Sequence, residues 1–68
     1  MNLGEYIYQH RVRSDLTLSE LADVCDVSKS TLSRIENGEC DRVQFETLRK
    51  LSKFFNVPIE EIARMNEE

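Results

Sequence analysis

Apolar residues recur at intervals of three and four through most of this chain, which is the spacing of one face of an α-helix. We expect these side chains to form the hydrophobic core. The positions are Leu3, Ile7, Leu21, Ala22, Cys25, Leu32, Ile35, Leu48, Leu51 and Phe55, supplemented by Leu16, Val27, Val57 and Ile62. Residues 24–27 alternate weakly, but four residues interrupted by an acid do not predict a strand.

Capping residues mark the beginnings of the first two predicted helices. Asn2 and Thr17 are each followed three residues later by a glutamate. This is the capping-box pattern, in which side chain and backbone satisfy each other's hydrogen-bonding groups. Helices should therefore begin near Leu3 and Leu18.

Three further helices are predicted downstream. Ser28 can cap a helix and Gly38 suits the left-handed position after one, so the third helix should run from about Lys29 to Asn37. Pro58 begins the fifth helix. Between them a fourth, amphipathic helix is predicted by apolar residues at three- and four-residue intervals, namely Phe45, Leu48, Leu51 and Phe55. The predicted fold class is all-α.

Size and composition restrict the class of protein. A fold of 68 residues buries only about 60% of its unfolded surface, which favours dimerisation and disfavours a large catalytic cleft. With 40% hydrophobic and 32% charged residues the composition is that of a globular protein. No apolar run approaches the ~20 residues that cross a bilayer, and the first residues lack a secretory signal pattern. We expect a cytoplasmic protein that has no membrane partner.

The sequence offers little for catalysis or metal binding. Cys25 falls on the apolar stripe and Cys40 in a turn-like segment, and both are expected to be free thiols, Cys40 being the more accessible. There is no Cys-x-x-Cys motif, and His10 is the only histidine. No glycine-rich phosphate loop or nucleophile–base arrangement is present. We therefore expect no enzyme activity, cofactor, metal or small-molecule ligand.

The connection between the second and third helices is very short. Only Asp26 and Val27 separate Cys25 from the cap Ser28, so the two helices should cross steeply, as in a helix-turn-helix. Such a crossing leaves one face of the third helix free. That face carries Lys29, Ser30, Thr31, Ser33 and Arg34. From the residues alone it is either a DNA-reading surface or a solvated helix face.

The segment LSELADVCDVSKSTLSRIENGE resembles the second and third helices of the Cro and phage-repressor type of helix-turn-helix, the XRE-like family. LGEYI resembles that family's first helix, and FETLRKLSKFFNVPIEEI its fourth and fifth. The resemblance covers nearly the whole chain. It implies a compact five-helix, lambda-repressor-like DNA-binding domain over residues 1–68, with the helix-turn-helix at helices 2 and 3.

The resemblance also implies roles for individual residues. The base-reading candidates on the third helix are Lys29, Ser30, Thr31, Ser33 and Arg34. The candidates for contacts with the phosphate backbone are Thr17, Ser28, Asn37 and Arg42. An arginine of the first helix commonly pairs with a glutamate of the third, which predicts an ion pair between Arg11 and Glu36. The alternative is two independent surface charges.

Four positions depart from the family pattern. Leu18 stands where many members carry a glutamine that clamps a phosphate, so that contact should be missing. Asp26 stands where glycine is common in the turn, although aspartate tolerates left-handed geometry. Gln44 replaces a serine or threonine that often caps the fourth helix. His10 occupies a frequently apolar position and is expected to be a half-buried structural residue.

The formal net charge of −4 conflicts at first sight with DNA binding. Residues 60–68 hold four glutamates against Arg64 alone and so contribute −3, which leaves −1 for the other 59 residues. Over residues 28–42 three cations balance Glu36, Glu39 and Asp41. A near-neutral face predicts weak non-specific binding, because that binding comes from phosphate neutralisation. It leaves specific binding possible.

Two functions remain open. The first is a transcriptional regulator that represses or activates by binding double-stranded DNA as a homodimer on a palindromic operator. The second is a protein-interaction module that binds another regulator, a toxin or a polymerase subunit. The second function is favoured by the acidic balance, by Leu18, and by Tyr8 and Val12 on a side of the first helix that should be exposed.

A dimer surface is expected at the junction of the fourth and fifth helices. Three apolar residues at this junction do not belong to the predicted core. They are Phe54, Ile59 and Met65. A twofold interface at this junction would set two recognition helices one DNA turn apart, about 34 Å. The alternative is that Phe54 and Met65 complete the core of a monomer.

Overall fold

A computed structural model of the chain shows five α-helices packed around one core. They are α1 (Leu3–Arg13), α2 (Leu18–Cys25), α3 (Lys29–Glu36), α4 (Phe45–Phe55) and α5 (Ile59–Glu67). The structure describes residues 1–40 and 42–67, and no strand occurs within these ranges. Asp41 and Glu68, which entered the charge balance above, lie outside the described residues. The prediction of an all-α fold is confirmed.

The first two helices begin as their capping residues predicted. The side-chain oxygen of Asn2 accepts from the backbone N–H of Glu5 at 2.9 Å, and the Glu5 carboxylate accepts from the N–H of Asn2 at 3.4 Å. Thr17 and Glu20 form the same reciprocal pair at 3.1 and 2.8 Å. Each pair satisfies two amide groups that the helix itself leaves without a partner.

Helix α3 begins at its predicted cap and ends one residue earlier than predicted. The Ser28 hydroxyl oxygen accepts from the N–H of Thr31 at 3.1 Å, and Asn37 caps the C-terminal end instead of belonging to the helix. The next residue, Gly38, has φ +72°, the left-handed conformation that glycine adopts without a steric cost.

Aspartate and asparagine residues occupy the other left-handed turn positions. Asp15 follows α1, Asp26 follows α2 and Asn56 follows α4, with φ angles of 59°, 60° and 57°. Aspartate and asparagine visit this left-handed region more readily than other non-glycine residues. The turn of the helix-turn-helix motif therefore keeps its geometry although it lacks a glycine.

The core is close to the predicted one. Eleven of the fourteen predicted core side chains are buried. The other three are half-buried and pack at the edge of the core, namely Leu16, Phe55 and Val57. Val43, which was not predicted, is 6% exposed and lies in the connection between α3 and α4. Phe45 belongs to the apolar spacing of α4, but it is 67% exposed because it lies at the first residue of the helix, before the helix reaches the core.

An aromatic cluster joins α1 to the end of α4. The ring of His10 lies 4.3 Å from that of Tyr6 and 5.5 Å from that of Phe55, measured between centroids. Tyr6 and Phe55 meet edge to face at 5.3 Å, a favoured arrangement of aromatic rings. His10 is half-buried in this cluster and has a structural role, as predicted.

Both cysteines are free thiols. Cys25 is 5% exposed, and burial raises the pKa of its thiol to about 11, so it is a core residue with little thiolate at neutral pH. Cys40 is half-buried in the connection between α3 and α4, and its thiol donates to the carbonyl of Arg42 at 3.4 Å.

Neither a membrane span nor a metal site is found in the part of the chain that the structure describes. None of its helices is both long enough and apolar enough to cross a bilayer. No three acidic, histidine or cysteine side chains come together there as metal ligands.

Replacing Leu51 by alanine should destabilise the protein severely. Leu51 is fully buried on α4, and loss of its side chain should lower the free energy of unfolding by about 2–5 kcal/mol through lost burial and the cavity left behind. Chemical denaturation followed by circular dichroism measures this. Phe45→Ala, at an exposed position on the same helix, should change stability by less than about 0.5 kcal/mol. Equal losses for the two variants would mean that Leu51 does not face the core.

Candidate nucleic-acid interface

The turn between α2 and α3 is fixed by buried residues on both sides. Leu21 on α2 and Leu32 on α3 are fully buried and form part of the same core. Val27 within the turn is 8% exposed, and its N–H donates to the carbonyl of Ala22 at 3.1 Å. The two helices therefore have a defined orientation, and the outer face of α3 is held at the surface.

That outer face is polar. We call it the α3 polar face, and its members are Lys29, Ser30, Thr31, Ser33 and Arg34, the five base-reading candidates. Lys29, Ser30 and Arg34 are exposed, and Thr31 and Ser33 are half-exposed. Within the described residues, Lys29 and Arg34 form no ion pair with an acidic side chain. Their charges are available to a ligand.

Two hydroxyl groups near this face already have partners in the protein. The Ser28 hydroxyl donates to Thr31 Oγ1 at 2.7 Å, and Asn37 Nδ2 lies 3.5 Å from Ser33 Oγ. The first contact joins the cap to the first turn of the helix. Thr31 is thereby oriented before any ligand arrives, while its own hydroxyl hydrogen stays available.

A groove of about 220 Å³ connects the α3 polar face to the start of α4. Thr31 and Arg34 line one side, and Arg42, Gln44 and Thr47 line the other. The Gln44 side chain makes no capping hydrogen bond, so it leaves the first amide groups of α4 uncapped. Free amides and a nearby arginine are a favourable combination for a phosphate.

A second groove, of about 370 Å³, lies at the other end of the α3 polar face. It is lined by Thr17 and Ser19 from the start of α2, by Lys29, and by Leu18, which is half-buried and offers no polar atom. Thr17 Oγ1 accepts from the backbone of Glu20, and its hydroxyl hydrogen is free to donate.

Arg11 and Glu36 form a bidentate ion pair between α1 and α3. Arg11 Nε donates to Glu36 Oε2 at 2.8 Å and Nη2 donates to Oε1 at 3.1 Å. Arg11 Nη1 also donates to the carbonyl of Leu16 at 2.9 Å. The side chains are only 16% and 7% exposed, and the hydrogen bond with Glu36 raises the pKa of Arg11. These are not two independent surface charges.

This pair changes the charge that the α3 region presents to solvent. Glu36 is neutralised internally, whereas Lys29, Arg34 and Arg42 are exposed. Within residues 28–40 and 42, the exposed acid that remains is Glu39. Over these same residues the sequence has three cations and two acids, so engaging Glu36 leaves three exposed cations and one exposed acid.

The three residues expected at a dimer surface differ in exposure. Phe54 is 40% exposed, whereas Ile59 and Met65 are half-buried. Met65 packs against the core and lines a cleft that contains Leu3 and Ile35. Met65 therefore contributes to the core of the monomer, and Phe54 offers the largest exposed apolar surface of the three.

The fold and the α3 polar face together define a helix-turn-helix domain of the regulator class. A family profile described as helix-turn-helix matches residues 7–62, and the chain belongs to this XRE-like family. Members of this class are transcriptional regulators and not enzymes.

Two curated proteins are similar in sequence. The HTH-type transcriptional activator BcrR of Enterococcus faecalis is 36% identical over 62 residues, which cover 91% of this chain and 30% of BcrR. The HTH-type transcriptional regulator YvzC of Bacillus subtilis is 36% identical over 58 residues, which cover 85% of this chain and 74% of YvzC. The chain thus spans less than a third of BcrR and about three quarters of YvzC.

One solved structure is similar in both fold and sequence. It is the crystal structure of SinR, the master regulator for biofilm formation, in complex with DNA. The two chains superpose with a TM-score of 0.75 at 33% identity, over 90% of this chain and 97% of the SinR chain.

The ion pair between Arg11 and Glu36 should stabilise the fold measurably. In a double-mutant cycle with alanine at each position, we expect a coupling of about 1–3 kcal/mol, since both partners are largely buried and share two hydrogen bonds. The control is the pair of Glu46 and Arg49 on α4, whose side chains are 55% and 62% exposed, and for which no measurable coupling is expected. Denaturant unfolding of the variants gives both values. A zero coupling at Arg11 and Glu36 would contradict the assignment.

Proposed function

We propose that this protein is a sequence-specific, DNA-binding transcriptional regulator that reads the major groove with α3. The observation that carries the proposal is the α3 polar face, where Lys29 and Arg34 are exposed and free of acidic partners within the described residues. Two regulators related in sequence and a DNA-bound neighbour in structure support it. Action on promoter DNA implies a cytoplasmic location.

Each residue of the α3 polar face has a specific role in this proposal. Lys29 and Arg34 lie more than one helical turn apart and would donate to guanine O6 and N7 at separate base pairs. The shorter residues would hydrogen-bond base edges or contact a thymine methyl group. They are Ser30, Thr31 and Ser33.

The phosphate contacts would come from both grooves beside α3. Arg42 and the uncapped amides of α4 would hold one phosphate, and Thr17 would donate to another. Asn37, at the end of α3, is exposed and has an amide to donate. Ser28 would have to release its hydrogen bond to Thr31 before it could donate to DNA.

We further propose that the protein binds as a homodimer to a palindromic operator. Phe54 would lie at the twofold axis, with Ile59 and Met65 at the margin of the interface. A small domain gains stability when such an apolar residue is covered, and paired half-sites require two linked recognition helices. Occupying a promoter in this way can repress or activate transcription.

The second candidate function is a protein-interaction module. Its supporting observation is the exposure of Tyr8 (52%) and Val12 (53%) on α1. The two functions differ in their response to salt, because only contacts with phosphates release counterions and give a steep decline of affinity with salt concentration.

Selection of bound sequences from random duplex DNA tests the proposal directly. We expect an inverted repeat to be enriched, with half-sites about one helical turn apart. Recovery of unrelated sequences after several rounds, together with binding that does not depend on salt, would instead favour the interaction module.

Substitutions on α3 should alter sequence preference as well as affinity. Lys29→Ala and Arg34→Ala should each weaken binding to the selected operator by about 1–3 kcal/mol and relax the preference at different base pairs. Arg42→Ala should weaken binding to all sequences alike, because a phosphate contact carries no sequence information. Fluorescence anisotropy with operator variants measures both effects. A uniform loss for all three variants would remove base reading from α3.

Dimerisation should depend on Phe54. The parent should sediment as a dimer at micromolar concentration, and Phe54→Glu should sediment as a folded monomer, because the introduced charges would be buried against each other. Tyr8→Glu, at another exposed aromatic position, is the matched control and should leave the dimer intact. If parent and Phe54→Glu both sediment as folded monomers, this surface is not the interface.

A further inference from the structure

A groove separate from the α3 polar face lies between the end of α2 and the second half of α4. It has a volume of about 570 Å³. Two exposed apolar side chains line it, Val24 from α2 at 58% exposure and Phe54 from α4 at 40% exposure. Apolar side chains from two helices thus remain accessible in one concave site, which is typical of a surface that receives an apolar anchor.

The rim of this groove is basic although the chain is acidic. Arg49, Lys50 and Lys53 line it, which is three of the nine lysine and arginine residues in a chain of net charge −4. Of these cations, Lys53 has no acidic partner within the described residues. A carboxylate brought to the rim would therefore meet an uncompensated positive charge.

The other two cations are held in place by contacts within the protein. Lys50 Nζ donates to the carbonyl of Asp26 at 2.8 Å and lies 3.4 Å from its carboxylate. Arg49 pairs with Glu46 one turn earlier on α4. Asp26 is the acid that lines the groove, and Lys50 offsets its charge. The lining residues keep a net positive charge.

We propose that this groove docks an acidic peptide segment of a partner protein. A bulky apolar side chain of the segment would lie between Val24 and Phe54, and glutamate or aspartate residues three or four positions away would reach Lys53 and Arg49. That spacing puts anchor and acids on one face of a helix. The charge complementarity between a basic rim and an acidic segment selects this occupant.

The groove lies away from the Thr17 and Arg42 contacts, but it shares Phe54 with the proposed dimer interface, so peptide docking and dimerisation through Phe54 exclude each other. Val24 is near the C-terminal end of α2 and Phe54 near that of α4, whereas Thr17 and Arg42 precede the N-terminal ends of the same helices. Helices of 8 and 11 residues are about 12 and 16 Å long. The Thr17 and Arg42 contacts and the groove thus lie at opposite ends of α2 and α4. The inference goes beyond DNA binding and does not depend on it.

Selection from a random library of twelve-residue peptides displayed on phage tests the proposal. With the full chain as bait, we expect enriched peptides to combine a leucine, phenylalanine or other large apolar residue with flanking acids. A synthetic peptide of the enriched sequence should bind Val24→Glu and Lys53→Glu at least tenfold more weakly than the parent. Val12→Glu, equally exposed but on α1, is the matched control and should bind like the parent.

Three outcomes would overturn the proposal. The first is that the selection enriches basic or uncharged peptides, or enriches none. The second is that the Val24→Glu and Lys53→Glu variants bind the peptide as tightly as the parent does. The third is that the two groove variants also lose dimerisation or affinity for duplex DNA. Loss of dimerisation would make the groove an interface between copies of this chain, and loss of affinity for duplex DNA would make it a DNA contact. Thermal unfolding of each variant verifies that it is folded.

Discussion

The orientation of α3 depends on its contact with α1. A Cβ atom built on Gly4 would lie 2.3 Å from the carbonyl oxygen of Ile35, so α1 approaches the backbone of α3 as closely as only glycine allows. Two helical turns further along α1, Arg11 donates two hydrogen bonds to Glu36 and a third to the carbonyl of Leu16. Close packing sets the distance between the helices and the ion pair sets their register, which holds the outer face of α3 at the surface.

The sequence was most informative where local chemistry decides the structure. Both capping boxes depend on residues three positions apart, so they could be predicted from spacing alone, whereas the left-handed turn at Asp26 was expected from the family resemblance. The buried side chains of the regular helices followed from periodicity for the same reason. Val43 could not be found in this way, because it lies in a connection where no helical period applies. Phe45 has the apolar spacing of α4 but is exposed, and its absence from the predicted core agrees with the structure.

The sequence indicated which residues form the α3 polar face, and their contacts with DNA stay a prediction. The short turn and helical spacing identified the α3 polar face, and the resemblance to a known family predicted the ion pair between Arg11 and Glu36, which the structure shows to be largely buried. Counting charges over residues 28–42 gave neutrality, yet one of the acids counted is engaged by a helix far away in sequence. The approach of Gly4 to Ile35 was likewise invisible, because it joins residues of two different helices.

The distribution of charge has a consequence for how such a protein finds its site. With few exposed cations around α3 and an acidic α5, we expect a low affinity for random DNA, because non-specific binding depends on the number of phosphates neutralised. Base contacts must then supply a larger share of the specific free energy, and they act only if α3 is already held in the reading orientation. A rigid connection between α1 and α3 is therefore more important here than in a strongly basic domain. In the proposed function this buried ion pair would remove a negative charge from the side that faces DNA and would fix the orientation of α3.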